Sequence, residues 1–463
     1  MKKLLLFVLL VVLVVGAGAL AVVSLRVGPA PEVQISPSAR AIGMRGSVLV
    51  TATAGGRGLA GLRVEVEQKG KTTVVARAVE RPRAPWSFRG PRRTREELHA
   101  DVGRNAVPDL APGEAIVRVV AERAPTWLRH PDPVVKELKL PVRLVAPALS
   151  LLSTQHYVAQ GGSGVVVYRV ADTATRDGVR CGSSFFPGRP LPGGSGERFA
   201  LFGVPWDMGD DKAIRLLAED DAGNTSEIAF VDQFFPKPPR LDTVQLQDEF
   251  LNRVVPEIMA QTPGLADRGS VLENYLQINR DLRARQATEL IELSRQSEPR
   301  FLWTQPFLPL HNAQVMASFA DQRTYFYGGK EVDKETHLGF DLAVTAQTPV
   351  TAANRGVVKL ARYFGIYGNT VVLDHGFGLM TLYAHLSWIG VKEGDQVERG
   401  GVLGRTGRTG LAGGDHLHFT TLVGGVPVRP TEWWDPHWIH DRVAVRLAPA
   451  VSFEGVPVAA KAE

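Results

Sequence analysis

Chemistry concentrates near the C-terminus of this chain. Four histidines and one aspartate fall there in three pieces: His337-Leu-Gly-Phe-Asp341, Tyr383-Ala-His385-Leu and His416-Leu-His418-Phe. Imidazole and carboxylate are ligands that zinc prefers, and a catalytic zinc takes three protein ligands and keeps one position open. Three such groups plus two spare imidazoles make a set suited to metal-assisted hydrolysis.

The last piece carries geometric content. His416-Leu-His418-Phe-Thr-Thr-Leu-Val is rich in β-formers, so it predicts a strand. Residues two apart on a strand share a face, roughly 6.6 Å apart along the chain. A zinc–nitrogen bond is about 2.0–2.1 Å. One of these histidines can therefore hold a metal while the other sits above the reacting water. Spacing alone does not say which does which. A His-x-His pair by itself has a bland reading as two satisfied surface rings. Its company, a His-x-x-x-Asp and a third isolated histidine, argues against that reading.

The stretch from Phe301 to about Ile439 resembles the lysostaphin/LytM-type zinc metallopeptidases, the M23 peptidase family, which cut peptide cross-links in bacterial cell walls. The resemblance runs through the three pieces above. It also includes Thr348-Pro-Val-Thr-Ala-Ala, Gly368-Asn-Thr-Val-Val-Leu-Asp-His-Gly and Val391-Lys-Glu-Gly-Asp-Gln-Val-Glu-Arg-Gly. It implies that His337, Asp341 and His418 bind Zn2+ and that His385 and His416 are the catalytic imidazoles. It further implies peptidoglycan stem peptides as substrate. The chain departs from the family at Asp415, where Pro is common, at Thr420, where Glu is common, and at Ser318-Phe-Ala-Asp-Gln-Arg323, where Ser-x-Phe-Gly-x-Arg is common. These departures bear on substrate fit and loop shape.

The elements that must position these residues are short. Val357–Leu360 and Thr370–Leu373 are β-prone runs punctuated by glycines at 356, 365, 368, 376 and 378. Many short strands with glycine turns predict an all-β domain. Val391-x-x-Gly394-Asp395-x-Val397 predicts a strand–turn unit; biotinyl and lipoyl carriers share a similar pattern, but the lysine they need at a hairpin tip is missing. Other chemistries fare worse. His-Glu-x-x-His is absent. Ser163 and Ser195 sit in Gly-rich runs that do not fit Gly-x-Ser-x-Gly. Gly70-Lys71-Thr72 lacks the upstream glycine of a phosphate loop, since Glu65 stands there. His375 is expected to be structural or to support a ligand. His99, His130 and His156 are expected to be ordinary surface or packed residues.

The N-terminus bears on location. Lys2 and Lys3 precede an uncharged apolar run of 22 residues, Leu4 to Leu25. A spanning helix needs about 20 residues, whereas a cleaved signal has a core of about 7–15 and a small-x-small site. Ala17-Gly-Ala19 and Ala19-Leu-Ala21 supply such sites, so cleavage stays open, but length favours a single-pass anchor. The N-terminal positive charge places the bulk outside the cytoplasm, on the periplasmic or extracytoplasmic side of the cytoplasmic (inner) membrane. The single cysteine, Cys181, excludes internal disulfides.

The remainder is long enough for about three domains. The expected organisation is mostly β and multidomain: a membrane segment at 1–30, a β-sandwich at 31–146 and an immunoglobulin-like β-sandwich at 147–236. A helical connector at 237–300, the M23-type domain at 301–440 and a tail at 441–463 complete it. Alternation in Ser47-Val-Leu-Val-Thr-Ala-Thr and Gly164-Val-Val-Val-Tyr-Arg-Val supports the sandwiches. Ser270-Val-Leu-Glu273 is a capping box, and Leu272, Tyr275, Leu276, Leu282, Leu290 and Ile291 form an approximate helical stripe. The connector is expected beside the catalytic domain, or over its groove as a regulator. The basic stretch Arg77–Arg95, with Trp86 and Phe88, could bind nucleic acid. Export argues against that partner, and attraction to an anionic wall or lipid surface comes second to a solvated loop. The net charge of +5 points weakly the same way. The expected function is a zinc endopeptidase acting on peptidoglycan. The alternatives are a LytM-type binding or activator module for other wall hydrolases and a wall-spanning scaffold; a regulatory protein is a further expected partner.

Overall fold

The computed structural model describes residues 2–25, 27–79, 93–126, 128–194, 196–448 and 450–454. Ser195, Trp86, Phe88 and most of the Arg77–Arg95 stretch lie outside the described residues. The protein is mostly β and multidomain, with an apolar N-terminal helix α1 (Lys2–Leu25). Its Leu4–Ala21 portion is long and apolar enough to cross a membrane, and none of it is buried in the protein.

The chain divides into two compact units. The first comprises residues 1–148, 171–175 and 218–226. It holds an antiparallel three-stranded sheet, with Ser47–Thr53 between Glu32–Pro37 and Arg95–Asp101, and a four-stranded one built around Leu59–Gln68 and Gly113–Arg123. Alternate residues of Ser47–Thr53 point inward, so Val48, Val50 and Ala52 are buried. They join Leu62, Val64, Val117 and Val119 in one core. Side chains alternate across a strand, and burying one face of each sheet against the other is the sandwich solution.

The second unit comprises residues 149–170, 176–217 and 227–463. Its β strands before residue 236 and its C-terminal β region share a continuous core. Phe199 packs on Phe301 and Phe377 at ring-centroid distances of 5.5 and 5.0 Å, and Trp303, Phe307 and Trp433 extend the cluster. The two stretches expected as separate domains thus bury their aromatic residues together. Packing also continues past residue 440, since Val443 and Leu447 are buried; the segment after Asp441 begins as part of the core.

The C-terminal β region is organised by an antiparallel sheet. Its strand order is Gln314–Ala317, Phe340–Ala343, Leu417–Val423, Leu379–Leu386, Asn369–Asp374, Gly356–Tyr363 and Gln396–Val397, with Val426–Val428 paired to Leu417–Val423. Both faces are covered. One buries Leu379, Tyr383, Leu417 and Phe419 in the aromatic core. The other buries Leu382, Ala384 and Leu422 with Leu290 of the connector.

The connector contains α2 (Asp248–Gln261), α3 (Val271–Gln277) and α4 (Arg283–Arg295), the last two joined through a π-helical turn at Ile278–Leu282. Ser270 Oγ accepts from the Glu273 amide at 3.2 Å, which caps α3. Tyr275, Leu282 and Leu290 of the expected stripe are buried, whereas Ile291 is exposed. The π turn inserts an extra residue into the repeat, so a uniform helical period loses phase there. α2 and α3 pack with Tyr325, Ile366 and Leu411.

Candidate active site

Register brings the candidate residues together. Asp341 lies directly opposite His418 in the antiparallel pair of Phe340–Ala343 with Leu417–Val423. On the other side of that strand, His418 is opposite Ala384. His337 ends the strand Lys330–His337, and Leu338-Gly339 turns the chain into Asp341. His416 sits just before Leu417–Val423, where its amide donates to the Gly407 carbonyl at 3.0 Å. Thus His416 and His418 flank one residue of extended chain.

His385 is placed differently. Strict alternation would put it on the face of Tyr383, away from His418. Instead the pairing with Asn369–Asp374 shifts register between Val371 and Asn369, opposite Tyr383 and Leu386. His385 takes the left-handed conformation, with φ of 61°. Bulges re-aim side chains in this way, and a left-handed non-glycine residue stores local strain of a kind that concentrates at functional sites. The imidazole consequently lies beside His416 and His418, at centroid distances of 4.8 and 5.7 Å.

Three side-chain atoms converge. Asp341 Oδ1 is 3.0 Å from His337 Nε2 and 3.0 Å from His418 Nδ1. Those two nitrogens are 3.1 Å apart. The opposite ring atoms determine the tautomers. His337 Nδ1 is 3.0 Å from the Ser318 carbonyl and must carry the proton to donate. His418 Nε2 is 3.0 Å from Thr420 Oγ1, whose own proton goes to the Leu338 carbonyl at 3.0 Å. The Thr420 oxygen therefore accepts, and His418 Nε2 carries the hydrogen. Both converging nitrogens are left with bare lone pairs facing a carboxylate oxygen. Three acceptors in contact with no proton between them repel one another, and a cation among them removes the repulsion. His337, Asp341 and His418 are thus the group able to hold a metal ion, with partners of the kind that orient metal-ligating histidines.

The surroundings support this arrangement. Arg323 Nη2 donates to Asp341 Oδ2 at 3.0 Å, leaving Oδ1 for the cluster. Burial pushes the Asp341 carboxyl up, but its interactions with the surrounding His337, His416 and His418 rings outweigh burial and hold the group well below the usual carboxylate range. Burial pulls His418 down to about 4 and lowers His385 well below the ordinary histidine value, with further depression from neighbouring imidazoles. Both rings stay neutral and keep their lone pairs near pH 7. His416 is also penalised by burial, yet its hydrogen bond to Asp341 and that residue's charge raise its basicity. Its Nδ1 donates to the Gly414 carbonyl at 2.9 Å, and its Nε2 lies 3.4 Å from Asp341 Oδ1. His385 Nδ1 donates to the Thr409 carbonyl at 2.8 Å. Each of these rings therefore directs Nε2 away from its backbone partner.

His375 stands elsewhere. It is fully buried, with Nδ1 2.7 Å from the Arg355 carbonyl and Nε2 2.7 Å from Thr381 Oγ1. Burial lowers it to about 4. It is a structural residue of the aromatic core. His156 is also buried, bonded to Ser153.

Sequence reading missed several contributors. Thr420, read as a departure affecting substrate fit, holds the His418 ring. Gly339 is demanded by space, because a Cβ there would come within 2.6 Å of His418 Nε2 and of Thr420 Oγ1. Its place inside His-Leu-Gly-Phe-Asp was the available signal. Ser318 acts through a backbone carbonyl and Thr409 likewise, roles that side-chain identity does not reveal.

Comparison with known proteins bears on the same segment of the chain. The profile of peptidase family M23 matches residues 335–430. Those residues form a peptidase family M23 domain. All five candidate residues lie inside the M23 domain, whereas Ser318, Arg323 and the connector lie before it. Peptidoglycan DD-endopeptidase ShyA of Vibrio cholerae is 46% identical over 92 residues, which are 20% of this chain and 21% of that protein. DD-carboxypeptidase/endopeptidase Mpg of Neisseria meningitidis serogroup B is 44% identical over 94 residues, 20% of this chain and 22% of that one. The alignments thus span about a fifth of the length of these curated relatives. A peptidase M23 crystal structure from Pseudomonas aeruginosa aligns with 60% of this chain and 94% of its own at 23% identity and a TM-score of 0.36.

Proposed function

We propose that this protein is a zinc-dependent endopeptidase that hydrolyses peptide cross-links of bacterial peptidoglycan. The observation that carries the reading is the convergence of His337 Nε2, Asp341 Oδ1 and His418 Nδ1 with tautomers that leave no proton among them. Two imidazole nitrogens and one carboxylate oxygen suit zinc, and three protein ligands are the number found at catalytic sites. The activities in the names of ShyA and Mpg supply the substrate class.

When bound, zinc supplies a Lewis acid that polarises a carbonyl and brings the pKa of a water to about 7. His337, Asp341 and His418 would hold it, oriented by Ser318, Arg323 and Thr420. His416 is the better proton acceptor, because Asp341 raises its basicity. It takes a proton from the attacking water at Nε2 and returns it to the leaving amine. His385 stays neutral with its proton on Nδ1, donated to the Thr409 carbonyl, so its Nε2 presents a lone pair to the reacting region and can accept from and orient the attacking water. The helix Lys2–Leu25 anchors the chain in the cytoplasmic membrane with the bulk on the periplasmic or extracytoplasmic side. That is where wall peptides are found, and where a regulatory protein would meet it. Filled positions at all five site residues favour the enzyme over a wall-binding activator.

The test is incubation of the full chain in detergent with peptidoglycan, with and without chelator, followed by mass analysis of fragments. Chelator-sensitive release of uncross-linked stem peptides is expected. Intact cross-links after complete zinc loading would refute the proposal.

A further inference from the structure

We infer that α2, which lies outside the M23 domain, positions His385 by clamping the loop 408–412. This inference rests on the hydrolase reading above.

A backbone atom orients the His385 ring. Its Nδ1 donates to the Thr409 carbonyl at 2.8 Å, and its backbone occupies a left-handed conformation that relaxes unless the surroundings enforce it. Where Thr409 goes, the imidazole follows. The loop bearing Thr409 contains Gly410, with φ of 70°. Such a segment does not fix its own path, because glycine adopts positive and negative φ about equally.

Three contacts from one helix face fix it. Arg253 Nη2 donates to the Ala412 carbonyl at 2.6 Å, and Nη1 to the Arg408 carbonyl at 3.3 Å. Glu257 Oε1 accepts from the Gly410 amide at 3.2 Å. Arg253 and Glu257 are four residues apart, so they lie on one face of α2, one turn apart. The guanidinium spans the loop from its first residue to its last, while the carboxylate takes the central amide. The same Oε1 accepts from Tyr363 Oη at 3.2 Å, tying the clamp to the strand that leads to Gly365 and Ile366. From the opposite side, the Leu411 amide donates to the Ile366 carbonyl at 2.9 Å, and the Asn369 amide to Thr409 Oγ1 at 2.9 Å. α2 is itself seated by buried Leu251, Val254, Val255 and Ile258. The M23 domain thus borrows one wall of its loop from the connector.

Arg253 and Glu257 touch neither the metal cluster nor His385. They are positioning residues, and their loss should misplace one imidazole without disturbing zinc. A misplacement of about 1 Å at a reacting group can cost up to about a hundredfold in rate.

The experiment compares Arg253→Ala, Glu257→Ala and the double variant with Arg253→Lys and Glu257→Gln, all in the full chain in detergent. Zinc content, Tm, and kcat and KM on a soluble cross-linked muropeptide dimer are measured. Crystal structures of the parent and the double variant give the His385 Nδ1 to Thr409 carbonyl distance. The expected result is a kcat loss of about tenfold or more in the alanine variants, with KM, zinc content and Tm held. Glu257→Gln should restore most of kcat, since its amide oxygen can still accept from Gly410. Unchanged kcat in the double variant would overturn the inference, as would zinc loss that accounts for the drop. If the parent hydrolyses nothing, the function proposed above fails, and the crystallographic distance decides the clamp. An intact bond in the double variant rejects it, and a broken bond upholds it.

Discussion

Thr420 offers the most pointed test of how the metal cluster is held. Replacing it with valine keeps the shape of a buried residue and removes the Thr420 oxygen that accepts from His418 Nε2–H. The proton is then free to move to Nδ1, where Asp341 Oδ1 at 3.0 Å accepts it. The metal-free protein gains a hydrogen bond to a charged group, worth roughly 1.5–3 kcal/mol, and zinc must break it to bind. That converts to a loss of about 10–100-fold in zinc affinity, matching the range typical for loss of a group that orients a ligating histidine. Thr420→Ser retains the hydroxyl and should bind zinc within a few-fold of the parent. Competition against a chromophoric chelator measures both variants. Parental affinity in Thr420→Val, or equal weakening in both, would refute the tautomer argument.

Three further outcomes are expected. His385→Ala and His416→Ala should keep zinc and lose about 10²–10⁴-fold in hydrolysis; elemental analysis beside muropeptide assays checks this, and retained hydrolysis would remove both rings from the chemistry. Glu432 is half-buried, with its carboxylate turned inward to accept from the Ser163 amide and hydroxyl at 2.8 and 2.9 Å; burial raises it from 4.5 to about 7. The folded protein therefore holds a proton that the unfolded chain has lost between those values, so stability falls as pH rises through that window. Glu432→Gln should relieve about 2–3 kcal/mol of this loss between pH 5 and pH 8, read as the difference between parent and variant urea melts; parallel pH profiles would contradict it. Finally, the chain should stay in the membrane pellet after carbonate extraction, and a soluble mature protein beginning near Leu20 or Val22 would show a cleaved signal.

The site was largely legible because its grammar is local. His337 and Asp341 are separated by one turn, and His416 and His418 by one residue, so side-chain type and spacing carry their placement. His385 was legible only as an isolated histidine. Period-two alternation puts it with Tyr383 on the wrong face, and the bulge that re-aims it has no sequence signature. Thr420 misled for a related reason: its role is a hydrogen bond across a strand face, which identity alone describes poorly. In the connector, the capping box at Ser270 was exact in position, whereas the stripe failed at Ile291 because the π turn shifts the phase. The contact of Phe199 with Phe301 and Phe377 joins segments a hundred residues or more apart in sequence. No composition change marks such a contact, so a shared core was read as two domains.

We propose that His337, Asp341 and His418 hold one zinc ion. Elemental analysis of the full chain, beside His337→Ala, Asp341→Ala and His418→Ala, measures it without reference to substrate. Close to one zinc per parental chain is expected, with loss of tight binding in each variant and His416→Ala still loaded. Full zinc occupancy in all three variants, or zinc lost from His416→Ala and kept by His418→Ala, would contradict it.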